Sequence, residues 1–176
     1  MVTIWDMVMA RVQTKKGDVF SVKIDEKHKK YFQLITYDLT QLNSDVIRAF
    51  KKGYPLEVNP DLSEIIKDDI DFYAHCVTKW GVKMGYWEKV GNSKEVGSFE
   101  NVLFRISEDS GSKVDEEPIK ISEKWYIWKI NDNDFTWVGK LEGNNKEAEI
   151  GSVIPPPSIV HRMQTGKYDF VYPDFE

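Results

Sequence analysis

Gly17 to Leu39 reads "GDVFSVKIDEKHKKYFQLITYDL", two alternating runs around a charged middle. Val19, Ser21 and Lys23 fall on one side and Phe20, Val22 and Ile24 on the other. Period-two alternation of this kind marks a half-buried strand. The charged run "DEKHKK" follows as a turn, and "YFQLITYDL" reads as a second strand hairpinned to the first.

Downstream the period changes. "NSDVIRAFKKGYP" predicts a short helix: Ser44 as its cap, Asp45 in the first turn, Val46, Ile47 and Phe50 as an apolar stripe, Gly53 at the left-handed end and Pro55 beyond. "NPDLSEIIKDD" predicts a turn and a second short helix, with Asp61 and Glu64 at capping-box spacing. "IDFYAHCV", "GYWEKVG" and "NVLFRIS" read as strands, and "EDSGSKVDEEP" as a polar loop. "KWYIWKIN" and "FTWVGKL" flank "DND", a hairpin signal. "IPPPS" is expected to be extended. "SIVHRMQTG" predicts a closing helix capped by Ser158, with Ile159, Val160 and Met163 inward and Gly166 at its end, and the aromatic tail "YDFVYPDF" should pack back on the body. Neither an internal repeat nor a domain linker is visible. The expectation is one domain over residues 1–176, of α+β class, mostly antiparallel sheet (strongly twisted or barrel-like) with a few short helices, including a C-terminal one.

At 176 residues the chain can close a core without staples. Hydrophobic residues at 41% and charged residues at 30% place it among ordinary globular chains. Six tryptophans and eight tyrosines favour a β-rich fold, because flat side chains pack well on a pleated surface. The net charge of −5 argues against general nucleic-acid binding. One cysteine, Cys76, allows no internal disulfide, so a reducing compartment is the simplest reading. Asp6 interrupts the first apolar run, and the lysines follow that run where a secretory signal would have them in front. No run spans a bilayer, so the expected location is the cytoplasm.

"WGVKMGYWEKVG", Trp80 to Gly91, is glycine-rich and aromatic, but its glycines match neither phosphate-binding pattern. It reads as a turn around "GVKMG" leading into a strand. Tyr86 and Trp87 then point to opposite faces, one into the core and the other partly exposed. His75 and Cys76 are neighbours on a strand and so cannot form a local dyad; a buried structural thiol is the simpler role. His28, His75 and His161 lack ligand spacing, so no metal site is predicted. The acidic pairs Asp68–Asp69, Asp132–Asp134 and Asp115–Glu117 lie in loops or helix ends, where solvated carboxylates are ordinary.

Charge patterning carries more. Glu108, Asp109, Asp115, Glu116 and Glu117 stand against Lys113 alone, a local balance of −5 + 1 = −4. Lys15, Lys16, Lys23, Lys27, Lys29 and Lys30 make the other end basic. Such polarisation either keeps loops soluble or steers a basic partner.

"KKGDVFSVKIDEKHKKYFQLI", "GYWEKVGN" and "GSVIPPPSIVHRMQTGKY" together resemble the bacterial polymorphic-toxin immunity proteins of the immunity protein 26 family, in order from Lys16 to Tyr168. The segment before Lys15 and the acidic run around Asp115 lie outside the resemblance. The resemblance implies a cytoplasmic antidote that binds a cognate toxin domain and blocks it stoichiometrically, with no catalytic residues and no cofactor. Glu108, Asp109, Asp115, Glu116, Glu117, Tyr86 and Trp87 are then the candidate partner-binding residues, the acids imitating substrate phosphates if the toxin is a nuclease. Two competing expectations stay open. One is a nucleic-acid or small-ligand binding β-module that stacks bases on Tyr31, Tyr86 and Trp87. The other is an enzyme assembled from distant segments.

Overall fold

β1 (Asp18–Lys23) and β2 (His28–Asp38) form the hairpin expected from the sequence, with Val19 opposite Gln33 and Lys23 opposite Lys29. The structure is a computed structural model that describes residues 11–176; the apolar start, Met1–Ala10, lies outside the described residues.

The chain then departs from expectation. Ser44–Phe50 is not a helix but strand β3, antiparallel to β2. Asn43 takes a positive φ of 45°, which turns the chain straight back along β2. Val46, Ile47, Ala49 and Phe50 are all buried because both faces of this strand are covered. A strand buried on both faces shows a continuous apolar run, and periodicity cannot separate that from a buried helix. The intended helix stop serves instead as short strand β4 (Tyr54–Pro55), paired with His28 and Lys29 of β2.

Helix α1 (Leu62–Ile65) and strand β5 (Ile70–Cys76) lie where the sequence placed them. Helix α2 (Thr78–Lys83) replaces part of the expected turn before β6 (Glu88–Asn92). β7 (Leu103–Ser107), β8 (Lys113–Val114), β9 (Glu117–Pro118), β10 (Trp125–Lys129), β11 (Thr136–Gly139) and β12 (Glu149–Ile150) follow, with a 3-10 turn at Gly143–Glu147. The larger sheet runs β5-β3-β2-β1-β6, with β4 attached to β2; the smaller runs β11-β10-β7-β12, and β8–β9 stands as a two-stranded ribbon. Every named strand pair is antiparallel except β12 with β7. The fold is therefore α+β and mostly antiparallel. Both sheets stay open, so the barrel-like form is not reached.

The last helix, α3 (Pro156–Thr165), begins two residues before the expected cap. Prolines are tolerated in a first turn because those N–H groups lack intrahelical acceptors anyway. Only Pro155 is extended; the other two prolines are helical. Ser158 instead donates its hydroxyl to Asp169 at 2.6 Å. Ile159 and Met163 are buried, and Gly166 closes the helix in the left-handed conformation at φ 84°.

One face of the larger sheet, with Phe20, Phe32, Leu34, Ile47 and Phe72, packs on Trp87 and on Ile159 and Met163 of α3. The opposite face holds two clusters. Val19, Tyr31 and Phe50 meet Ile65 of α1, while Ile35 and Val46 meet Phe104 and Trp128 of the smaller sheet. Between these clusters runs a buried polar seam. Arg48 donates to Gln33 at 3.0 Å and to the Glu95 carbonyl at 3.1 Å, and Gln33 donates to the Ser93 and Glu95 carbonyls. The seam pins loop 93–97 across the sheet.

Gly81 of α2 lies against the indole of Trp87, and any Cβ there would overlap the ring. The ring cannot yield, because Trp87 donates to the Thr78 carbonyl at 2.8 Å and packs edge-on to Phe32 at 4.9 Å. Alanine would gain up to about 1 kcal/mol in helix propensity, but overpacking of this kind costs about 1–3 kcal/mol. Gly81→Ala should therefore lower the urea midpoint, while Gly53→Ala, which meets open space, should not.

Candidate partner-binding surface

The acidic run is a built element. Val114 pairs with Glu117, and the two residues between them, Asp115 and Glu116, both have positive φ (51° and 68°). That is the geometry of a two-residue I′ turn, whose twist matches paired strands. β8 and β9 therefore form a ribbon with Asp115, Glu116 and Glu117 exposed at its tip. Val114 beside them is 61% exposed.

Asp109 is not on that tip. It sits buried at the base of the ribbon, where the Ser122 hydroxyl donates to it at 2.8 Å and its own N–H donates to Ser107 Oγ at 3.0 Å. The Ser122 hydrogen bond, and after it Lys124, hold its carboxyl below the usual range. Ser107 and Ser122 also bond each other at 2.7 Å. Asp109 therefore fixes where the ribbon leaves the sheet and is not offered to a partner. Glu108 is exposed and accepts the Tyr126 hydroxyl at 2.9 Å.

Tyr126 belongs to a run of aromatic rings that read, in the sequence, only as hairpin strands. Strand pairing places Phe104 opposite Trp128 and Tyr126 opposite Trp137, all on the face turned toward the larger sheet. Phe104 and Trp128 are covered by that sheet; the others reach past it. Trp128 meets Phe135 at 4.7 Å, and Tyr126 meets Trp137 at 4.9 Å. Trp137 is 51% exposed and Phe135 39%. The result is an aromatic shelf, anchored in the core at one end and open at the other. Its signal in the sequence is the i, i+2 spacing of Tyr126 with Trp128 and of Phe135 with Trp137.

The other candidates separate cleanly. Trp87 is buried, so it is a core ring and cannot anchor a partner; Tyr86 is half-buried against the same core. On α2, Trp80 and Met84 are exposed one turn apart. His75 and Cys76 are both sealed from solvent, and burial pushes the Cys76 thiol well up. His75 Nε2 donates to Asp38 at 2.9 Å, while its Nδ1 has no partner. Among the described residues no three His, Cys, Asp or Glu side chains converge as a metal site would require, and no helix is long and apolar enough to cross a membrane. Asp68 and Asp132 each accept a backbone N–H, from Lys52 and Lys129, which is turn chemistry. This surface offers flat rings for contact area and carboxylates that would steer a basic group.

Comparison of the chain with protein-family models, curated proteins and solved structures finds no match.

Proposed function

We propose that this protein is a cytoplasmic immunity protein that binds a cognate bacterial toxin domain one-to-one and blocks it by occlusion. The observation that carries the reading is the shelf of Tyr126, Phe135 and Trp137 standing open beside Glu108. Tryptophan and tyrosine dominate binding hot spots because each buries a large rigid surface at low entropic cost. The rings here are already held by the strands beneath them, so little further ordering is needed on binding. The acidic ribbon fits the same reading, since complementary charge raises association rates and rejects wrong partners. The His75–Asp38 and Cys76 chemistry lies out of reach of any substrate in this conformation.

The test is co-expression with the toxic domain of the product of the adjacent gene. Co-purification in a 1:1 complex, with rescue of cells that make the domain, supports the reading. A monodisperse protein that ignores that domain and leaves the cells unprotected sinks it. A salt-dependent shift of labelled RNA would move the shelf to a base-stacking role instead.

The ribbon makes its own prediction. Asp115→Lys, Glu116→Lys and Glu117→Lys together should slow association by about 10-fold or more at low salt, with dissociation nearly unchanged. In about 0.5 M salt the difference should largely vanish, because screening shortens to a few ångströms. Stopped-flow binding at two ionic strengths reads it directly.

A further inference from the structure

β5 is an outer strand of the larger sheet, and along most of its length only one side is used. On the inner side it pairs with β3. On the outer side His75 bridges Val153, its carbonyl accepting the Ile154 N–H at 2.8 Å. The His75 carbonyl therefore points away from β3. Strand alternation turns the backbone N–H and C=O of Tyr73, two residues back, the same way. Among the described residues no backbone group meets them there. The reason is that the chain following β12 crosses over: Gly151 donates to the Arg105 carbonyl of β7, whereas Ile154 joins β5. The two sheets meet through His75 and Phe104, 4.2 Å apart, and part toward Ile70.

That parting is a cleft of about 740 Å³. One wall is Ile70–Tyr73; the other includes Leu103, Lys129, Glu147 and Glu149. Three carboxylates (Asp71, Glu147, Glu149) face one lysine, a balance of −3 + 1 = −2. Glu149 is held by both Arg162 nitrogens, at 2.7 and 3.1 Å. Asp71 and Glu147 have no cationic partner among the described residues.

We infer that this cleft takes an extended, lysine- or arginine-bearing segment of a partner protein as an added strand on β5. An open strand edge is a template for pairing, and in such complexes main-chain hydrogen bonds supply affinity while alternate side chains supply specificity. Tyr73 offers the backbone pair, the cleft walls accept the segment's outward side chains, and Asp71 and Glu147 select cations. The inference deepens the partner-binding reading, taking the segment from that partner, and gives it a second contact away from the aromatic shelf.

The probe is a displayed library of random decapeptides panned on the full chain and counter-selected on Asp71→Lys/Glu147→Lys. Recovered peptides should alternate Lys or Arg with apolar residues, should slow hydrogen exchange at the Tyr73 amide, and should bind the double variant at least about tenfold more weakly. Asp71→Asn/Glu147→Gln, which keeps the side-chain shapes, should show an intermediate loss. Val58→Ala, at an exposed position outside both the cleft and the shelf, should bind the same peptides unchanged. No peptide dependent on Asp71 and Glu147, or peptides that leave the Tyr73 amide exchanging freely, would overturn the inference. Toxin-domain binding that persists in the double variant while no such peptide appears removes the strand-addition claim and leaves the immunity reading standing.

Discussion

Trp137→Ala should weaken binding of the proposed toxin partner by about 30- to 1,000-fold while leaving the protein's own stability within about 0.5 kcal/mol. The first range is the about 2–4 kcal/mol lost when a central aromatic anchor is truncated, converted at about 1.4 kcal/mol per tenfold. The second follows from exposure: Trp137 is 51% open in the free protein and its ring partner is Tyr126, so truncation uncovers little core. The two effects separate a partner anchor from a structural ring. Trp128, on the same face but buried, is the contrast, and its truncation should cost about 3–5 kcal/mol of stability. Phe135 stands between them, touching Trp128 at 4.7 Å while 39% exposed, and should show part of each effect. Titration calorimetry against the toxin domain, paired with urea unfolding of each variant, reads both quantities. An unchanged affinity for Trp137→Ala would remove the shelf from the interface.

Much of the fold is legible in the order of residues alone, and the exceptions have physical causes. The β1–β2 hairpin, β5, β7, β10–β11 and the Gly166 end of α3 all announce themselves through alternation or turn chemistry. Ser44–Phe50 misleads because helix caps and strand turns draw on the same residues, and because a strand covered on both faces loses its alternation. Tertiary pairing with β2 and β5 then outweighs local propensity. Within the candidate site, Asp109 and Asp115 look alike as members of one acidic run. Only the register that brings Trp125 opposite Ser107 draws Ser107 and Ser122 together and buries Asp109 between them. The shelf has a visible period but no visible boundary. Which rings of that face stay open depends on where the larger sheet ends, a long-range fact that spacing does not contain.

Lowering the pH from 8 to 5 should destabilise the protein, and His75 should account for the first part of the loss. His75 and Asp38 are both fully buried and share a 2.9 Å hydrogen bond. Burial depresses the His75 pKa against the opposing pull of Asp38. The unpartnered Nδ1 gives the same direction a structural reason, since a proton placed there would find no acceptor. Burial alone would raise the Asp38 carboxyl, but hydrogen bonds from His75 and from the Gln41 and Thr40 backbones outweigh it and hold the carboxyl low. At neutral pH the pair is thus imidazole and carboxylate. In the unfolded chain histidine takes a proton near pH about 6.5, while the folded chain resists doing so. Stability is complete above that pH and falls below it, by up to about 1.4 kcal/mol per pH unit, until the folded His75 titrates. Asp38 has the same sign in a lower window: its contribution is present above about pH 4 and lost as pH falls through its depressed folded value. His75→Gln keeps an N–H for Asp38 but cannot titrate, so its urea midpoint should start lower and stay flat between pH 7 and 5. His75→Ala should cost about 3–5 kcal/mol at pH 7, because it leaves a buried carboxylate short of a donor and empties space beside Phe104, 4.2 Å from the imidazole. A flat profile in the unmodified protein, or a slope that survives in His75→Gln, would show that the pair does not govern acid stability. The expected outcome gives His75 and Asp38 a role in holding the two sheets together. His75 carries the Phe104 contact to the smaller sheet through its ring and the Ile154 contact through its carbonyl, and so fixes the point from which the cleft along β5 opens.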